Sequence, residues 1–175
     1  MQTIKINRAP VMTLWAVVVA ERLGYAHDEA LTLGRAVTGL NAYSKAKAIG
    51  LVSAAEKEKR KARPGKPPAT VGLLGREVPV VETKGGVRAL AKDAAIEPAS
   101  VERYLEAKFK ESLPVFQAAM RRLAASRSPR DLALEAYALY EKFRPKIPAG
   151  EAGWGKAGVL SVATIAGLAS GRTGN

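Results

Sequence analysis

The stretch Ala9-Pro10-Val11-Met12-Thr13-Leu14-Trp15-Ala16-Val17-Val18-Val19-Ala20-Glu21-Arg22-Leu23-Gly24 decides how this chain folds. Pro10 suits an opening helical turn, where its missing N–H has no intrahelical partner to lose, and Gly24 suits the left-handed position that closes a helix. Between them Val11, Met12, Leu14, Trp15, Val17, Val18 and Val19 cover nearly the whole circumference. A helix that is apolar all round is buried against several neighbours rather than one. With Lys5 and Arg8 ahead of it, the run also has the outline of a secretory signal. It stops at Glu21-Arg22, however, short of the roughly 20 apolar residues that a membrane span needs. The charges continue the helical pattern to Gly24, so the expectation is a core helix in a soluble, unprocessed, cytoplasmic protein without a transmembrane segment.

Working outward, a second helix starts near His27, with Asp28 and Glu29 where the macrodipole favours anions and a buried stripe at Ala30, Leu33 and Val37. Gly39 breaks that pattern, and Asn41 can cap a third helix whose apolar face is Tyr43, Ala46 and Ile49. Its other face carries Ser44, Lys45 and Lys47. These three helices make an N-terminal unit over residues 1–53. A basic, proline-containing linker follows over 54–69, and it includes Lys57, Lys59, Arg60, Lys61, Arg63 and Lys66 beside only Glu56 and Glu58.

The third region, residues 70–175, opens with a change of period. Thr70 to Leu74, then Gly75-Arg76, then Glu77 to Thr83 form two short strands around a tight turn, with Pro79 demanding an edge position or a bulge. Lys84-Gly85-Gly86 is a second turn, after which Val87 to Leu90 either adds a strand or leads into the next helix. Pro98 opens a helix with Val101, Tyr104, Leu105 and Phe109 on one side and the ordered pair Glu106 and Lys110 on the other. Another starts around Ser112 and buries Leu113, Phe116, Met120 and Leu123. Ser128-Pro129-Arg130-Asp131 has a cap, a first-turn proline and the acidic member of a capping box, ahead of a stripe at Leu132, Ala136, Leu139, Tyr140 and Phe143. A loop containing Trp154 and a weakly amphipathic tail from Val159 to Leu168 complete the chain. The fold class is therefore mainly α with a small β-hairpin: an N-terminal three-helix unit, a basic linker, the hairpin and C-terminal helices.

Composition narrows the function. The 175 residues carry a net charge of +12, and a field of that sign concentrates phosphate polymers near the surface before any specific contact forms. A hydrophobic content of 47% supplies a real core, while only 6% aromatics leaves few platforms for stacking single-stranded bases. The chain has no cysteine and a single histidine, His27, so disulfides, thiolate nucleophiles and the usual zinc sets cannot be assembled. No cofactor motif is present. Gly153-Trp154-Gly155-Lys156-Ala157-Gly158 lacks the spacing of a phosphate-binding loop, and Trp154 there plugs a hydrophobic gap or meets a partner.

Each candidate site stands beside a plainer reading. The six linker cations can each neutralise a phosphate, or they can belong to a solvated spacer, which Pro64, Pro67 and Pro68 also suit. The segment from Asn41 to Ile49 is helix-turn-helix-like: with Gly39 as the turn glycine it presents Asn41, Ser44, Lys45 and Lys47 to base edges, although Arg35 stands where a small residue normally packs. The plainer reading is a helical hairpin. The strand hairpin can act as a wing with Arg76 at its tip, or simply cover a helical core. Arg121, Arg122, Arg127 and Arg130 form a second basic concentration suited to bidentate phosphate contacts, or a solvated face. His27 is the one neutral-pH acid–base candidate, and its place at a helix start favours capping over catalysis. Glu102 and Glu106 share a helical face and are explained as surface pairs with nearby lysines.

Ile6-Asn7-Arg8-Ala9-Pro10 through Trp15 to Glu21-Arg22-Leu23-Gly24, Leu74-Gly75-Arg76-Glu77-Val78-Pro79, and Phe143-Arg144-Pro145-Lys146-Ile147-Pro148 followed by Gly153-Trp154-Gly155 together resemble a family of small bacterial proteins of no assigned activity. The resemblance covers most of the chain and implies one co-inherited unit of bacterial type. It transfers no catalytic or binding residue to any position. The functional expectation is a non-enzymatic protein that binds nucleic acid, duplex DNA foremost, through backbone phosphates. The alternative is a protein-interaction or structural adaptor whose charge serves solubility or an acidic partner.

Overall fold

The computed structural model describes residues 3–48, 69–91, 94–145 and 157–170. Its centre is the first helix, α1 (Arg8–Arg22), buried without interruption from Pro10 to Ala20. Four helices pack on it: α2 (His27–Ala48), α3 (Pro98–Phe109), α4 (Leu113–Ala125) and α5 (Pro129–Phe143). The absence of a polar face on α1 thus has its physical counterpart, a helix that meets no water from Pro10 to Ala20. Trp15 shows how tightly it is held. Its indole Nε1–H donates to the Ala136 carbonyl of α5 at 2.9 Å, and its ring meets Phe143 edge-on with centroids 5.3 Å apart.

α1 and α2 cross at Gly34. A Cβ built there would lie 2.6 Å from Val17 Cγ2 and 2.7 Å from the Thr13 carbonyl oxygen, so only a glycine lets the two backbones approach this closely. The same crossing buries two hydroxyls, Thr13 Oγ1 and Thr38 Oγ1, which hydrogen-bond to each other at 2.6 Å and so offset their desolvation.

The mainly helical class with a β component holds. One expectation inside it does not: α2 runs unbroken through Gly39 for 22 residues, so the second and third helices of the sequence reading are one. An interior glycine costs a helix about 1 kcal/mol, and the stripe of Ala30, Leu31, Leu33, Ala36 and Val37, all buried, outweighs that cost. Asn41 accordingly caps nothing. Its Nδ2–H bonds back to the Val37 carbonyl one turn earlier, at 2.9 Å.

Strands β2 (Ala69–Leu73), β3 (Arg76–Thr83), β4 (Gly86–Ala91) and the short β5 (Ala94–Ala95) form an antiparallel meander in sequence order. The third strand left open by the sequence is therefore present. Leu74 and Gly75 turn β2 into β3 with φ of 49° and 77°, the doubly left-handed backbone of the favoured two-residue hairpin turns. Leucine is an unusual occupant of such a turn, and burial of its side chain to 3% exposure offsets the cost. Pro79 pairs with Thr70 of β2, and the β3–β4 ladder begins only at Val80–Ala89. By the alternation of an antiparallel ladder, position 79 is where β3 would next donate to β4, so the ladder ends where proline has no N–H to give.

Ahead of its pairing with β5, the outer edge of β4 is met by α2. The Val87 N–H donates to Glu29 Oε2 at 2.8 Å, the Ala89 N–H donates to Thr32 Oγ1 at 3.0 Å, and Glu29 Oε1 also accepts the Ala26 N–H at the start of α2. The hydrogen bonds from the Val87 and Ala26 N–H groups hold the Glu29 carboxyl below its ordinary pKa.

In the C-terminal half, the Ser128 side chain accepts the Asp131 N–H at 3.2 Å, as the capping sequence requires, and the stripe from Leu132 to Phe143 is buried. α3 ends abruptly at Lys110, which has φ of 54° and ψ of −133°, a conformation that costs a non-glycine residue about 1–3 kcal/mol. The helix stops there, and among the described residues the expected Glu106–Lys110 ion pair is not formed. A single 3₁₀ turn, Lys110–Ser112, leads into α4. The amphipathic tail divides into β6 (Ala157–Ser161) and α6 (Val162–Ala169). β6 pairs antiparallel with β1 (Thr3–Asn7), in register from Thr3–Ser161 to Asn7–Ala157. One hydrophobic core includes Ile6, α1, the stripe of α2, the inward side chains of the meander and α3 to α6, so residues on both sides of the basic linker share it. Trp154 and its glycines lie outside the described residues.

Candidate nucleic-acid interface

The basic linker is carried between two fixed points. α2 delivers the chain at Ala48 and β2 receives it at Ala69. Lys57, Lys59, Arg60, Lys61, Arg63 and Lys66 lie outside the described residues. Ser44, Lys45 and Lys47 sit on the last two turns of α2, and their side chains are likewise outside them. Near these turns, Arg76 reaches across from β3 and its Nη2–H donates to Asn41 Oδ1 at 3.1 Å. With Nδ2 on Val37 and Oδ1 on Arg76, Asn41 is 8% exposed and engaged on both sides of its amide. The two residues read as base-edge and hairpin-tip contacts thus join α2 to the meander at the base of the linker. The unbroken α2 leaves no turn to set off a separate recognition helix.

The second basic concentration gathers around the C-terminus of α4. Arg121 and Arg122 are exposed on its last turns, and Arg130 is exposed on the first turn of α5. The structure adds Arg22, about a hundred residues away in sequence. Its Nη2–H donates to the Arg127 carbonyl at 2.8 Å and its Nε–H to the Ala124 carbonyl at 3.4 Å. A guanidinium on the last carbonyls of a helix satisfies orphan acceptors and complements the macrodipole. Arg127 in turn donates to the Leu168 carbonyl at 3.0 Å, tying α6 to this junction. Arg22 and Arg127 are therefore scaffold, and Arg121 lies 3.5 Å from Glu21. Among the described residues, Arg122 and Arg130 make no side-chain hydrogen bond or ion pair and point charge into solvent. Nothing in the sequence marked Arg22 as part of this cluster, because only the packing of α1 on α4 brings it there.

His27 is not a cap. It ties three helices together, with Nδ1 2.9 Å from Glu21 Oε2 on α1 and Nε2 3.4 Å from Glu102 Oε1 on α3. Partial desolvation acts to lower its pKa, and the two carboxylates, through hydrogen bonds and charge, outweigh it and hold the imidazole above its ordinary value. A histidine whose two ring nitrogens are both engaged by carboxylates is an electrostatic clasp, with no nitrogen left over to act as a general base. Arg35, the residue at odds with a helix-turn-helix, is explained too: its guanidinium stands 5.3 Å from the ring centroid of Tyr104 and joins α2 to α3.

Among the described residues, no group of three His, Cys, Asp or Glu is placed to hold a metal ion, and no helix is long and apolar enough to cross a membrane. Comparison with family models, with curated proteins and with solved structures returned no match.

Proposed function

We propose that this protein binds nucleic acid without catalysing a reaction on it, and that duplex DNA in the cytoplasm is its foremost partner, held through backbone phosphates without reading of sequence. The observation that carries this reading is the placement of charge: a net +12, with Lys45, Lys47 and the six linker cations following one another off the end of a helix anchored in the core. Phosphate contact by cations supplies essentially all of non-specific affinity and demands no exact geometry. The engagement of Asn41 and Arg76 with each other supports the sequence-blind part of the proposal, since it takes the best-placed amide away from base edges. Arg122 and Arg130 supply a second row of phosphate contacts.

The test is a fluorescence-anisotropy titration of one duplex DNA, an RNA of the same sequence and polyglutamate of matched charge. The proposal requires duplex DNA to bind more tightly than the RNA and far more tightly than polyglutamate. Equal affinity for polyglutamate would turn the reading to an acidic protein partner.

A further inference from the structure

Leu134, on α5, has 80% of its surface exposed, whereas the other exposed large apolar side chains among the described residues, Val81, Val115 and Val159, reach 47% at most. A single exposed leucine is ordinary, but this one belongs to a pattern. The buried stripe of α5 turns Leu132, Ala136, Leu139 and Phe143 to the core. On the opposite face, Arg130, Leu134, Tyr137 and Glu141 follow one another at spacings of four, three and four, the spacing of the seam by which two helices pair. Tyr137 is half-buried, and the exposed Ala133 and Ala138 flank the seam with small side chains that let a second helix approach. The charges at its two ends run against the helix macrodipole, a cation in the first turn and an anion in the last, although Asp131 and Lys142 beside them follow it. Neither Arg130 nor Glu141 has a hydrogen bond or ion pair among the described residues to explain that placement.

We propose that two copies of this chain pair antiparallel through this face of α5. A two-fold axis set midway between Glu135 and Ala136 along the helix exchanges Arg130 with Glu141 and Leu134 with Tyr137. Each cation then meets the anion of the second copy, and each leucine lies on the other copy's tyrosine ring. The order of the residues is what selects a second copy as the occupant: read in reverse, the stripe is its own complement in charge and in packing. Parallel pairing would set Arg130 against Arg130 and Glu141 against Glu141, which like-charge repulsion opposes. The 15 residues of α5 span about 22 Å, so a contact confined to it falls below the roughly 1,200 Å² of standard interfaces, and the dimer is a weak one. The pairing does not depend on nucleic acid. Arg130 also keeps its part in phosphate contact, because a guanidinium has more N–H donors than one carboxylate engages.

The experiment is sedimentation velocity of the intact protein, freed of nucleic acid, from about 5 to 500 μM at fixed ionic strength. Wild type should pass from monomer toward dimer across that range, and Leu134→Glu should stay monomeric with an unchanged circular dichroism spectrum. Arg130→Glu and Glu141→Arg, each of which suits the macrodipole and leaves the fold intact, should each weaken the dimer about tenfold by opposing like charges at both ends of the stripe. Combining the two reversals restores opposite charges, and the double variant should recover the wild-type dissociation constant to within severalfold. The single variants change the net charge in opposite directions, so simple repulsion between two basic chains would strengthen association in Arg130→Glu and weaken it in Glu141→Arg. The proposal is overturned by that opposite movement, by a wild type that stays monomeric throughout, by a Leu134→Glu that associates as wild type does, or by a double variant as weak as the single ones.

Discussion

Replacing Gly34 and Gly39 by alanine, one at a time, gives opposite results if α2 crosses α1 as described. Both glycines lie inside the same helix, so alanine gains about 1 kcal/mol of intrinsic helix stability at either position. At Gly34 the new methyl would lie 2.6 Å from Val17 Cγ2, 2.7 Å from the Thr13 carbonyl oxygen and 3.1 Å from the Val17 nitrogen. Two of these three neighbours are backbone, so a rotamer change cannot relieve the clash and the helices must separate. Overpacking of this kind costs about 3 kcal/mol, the upper end of its usual range, which leaves Gly34→Ala net destabilised by about 2 kcal/mol. At Gly39 nothing lies within 4 Å, so the propensity gain stands alone and Gly39→Ala is stabilised by about 0.5–1 kcal/mol. Urea unfolding followed by far-ultraviolet circular dichroism measures both, and the expected gap of about 3 kcal/mol between the variants exceeds extrapolation error. A neutral or stabilising Gly34→Ala would refute the close crossing. A destabilising Gly39→Ala would mean that the chain turns there after all, and would restore the separate third helix.

Trp15→Ala should cost about 4–5 kcal/mol, the loss of a large buried aromatic together with its bond to Ala136, whereas Trp15→Phe should cost roughly half as much because it keeps most of the apolar contact; chemical denaturation ranks them, and near-equal values would mean that the indole N–H dominates. His27 is held above its unfolded pKa of 6.5, so its clasp contributes stability that is complete below that value and is lost as pH rises through the folded one. Melting temperatures between about pH 5.5 and 8.5 should fall more steeply for wild type than for His27→Gln, and parallel curves would remove the clasp from the account. A selection from randomised duplexes should return no enriched motif for wild type, and Ser44→Ala with Lys45→Gln should weaken all duplexes by a similar factor. A clear motif lost in the double variant would establish base reading by the end of α2.

The legible parts of the fold were those whose cause is local or whose composition is extreme. α1 is apolar on every face, and only a central helix can bury every face. The start of α5 is written in Ser128, Pro129 and Asp131, three residues whose chemistry completes itself within one turn. Other features depended on partners distant in sequence. β1 and β6 are five residues each and pair across about 150 residues, and neither carries a signal strong enough to stand alone. Gly39 looked like a break because local propensity is weak beside the burial of the stripe before it. The candidate interface divided in the same way. The linker cations are visible by composition alone, whereas Asn41, Arg76 and His27 looked available because their partners, on β3 and on α1 and α3, are set by tertiary packing. Arg22 entered the arginine cluster for the same reason.

The most direct test of phosphate binding through the linker is the salt dependence of duplex affinity, measured by anisotropy for wild type and for the variant with Lys57, Lys59, Arg60, Lys61, Arg63 and Lys66 all replaced by Gln. Neutralising six phosphates on B-form DNA gives log affinity a slope of about −5 against log salt concentration. Wild type should show at least that slope between about 50 and 200 mM salt. The variant's slope should be shallower by about 5, with its thermal melt unchanged. Equal slopes for the two proteins, with both folded, would contradict the account.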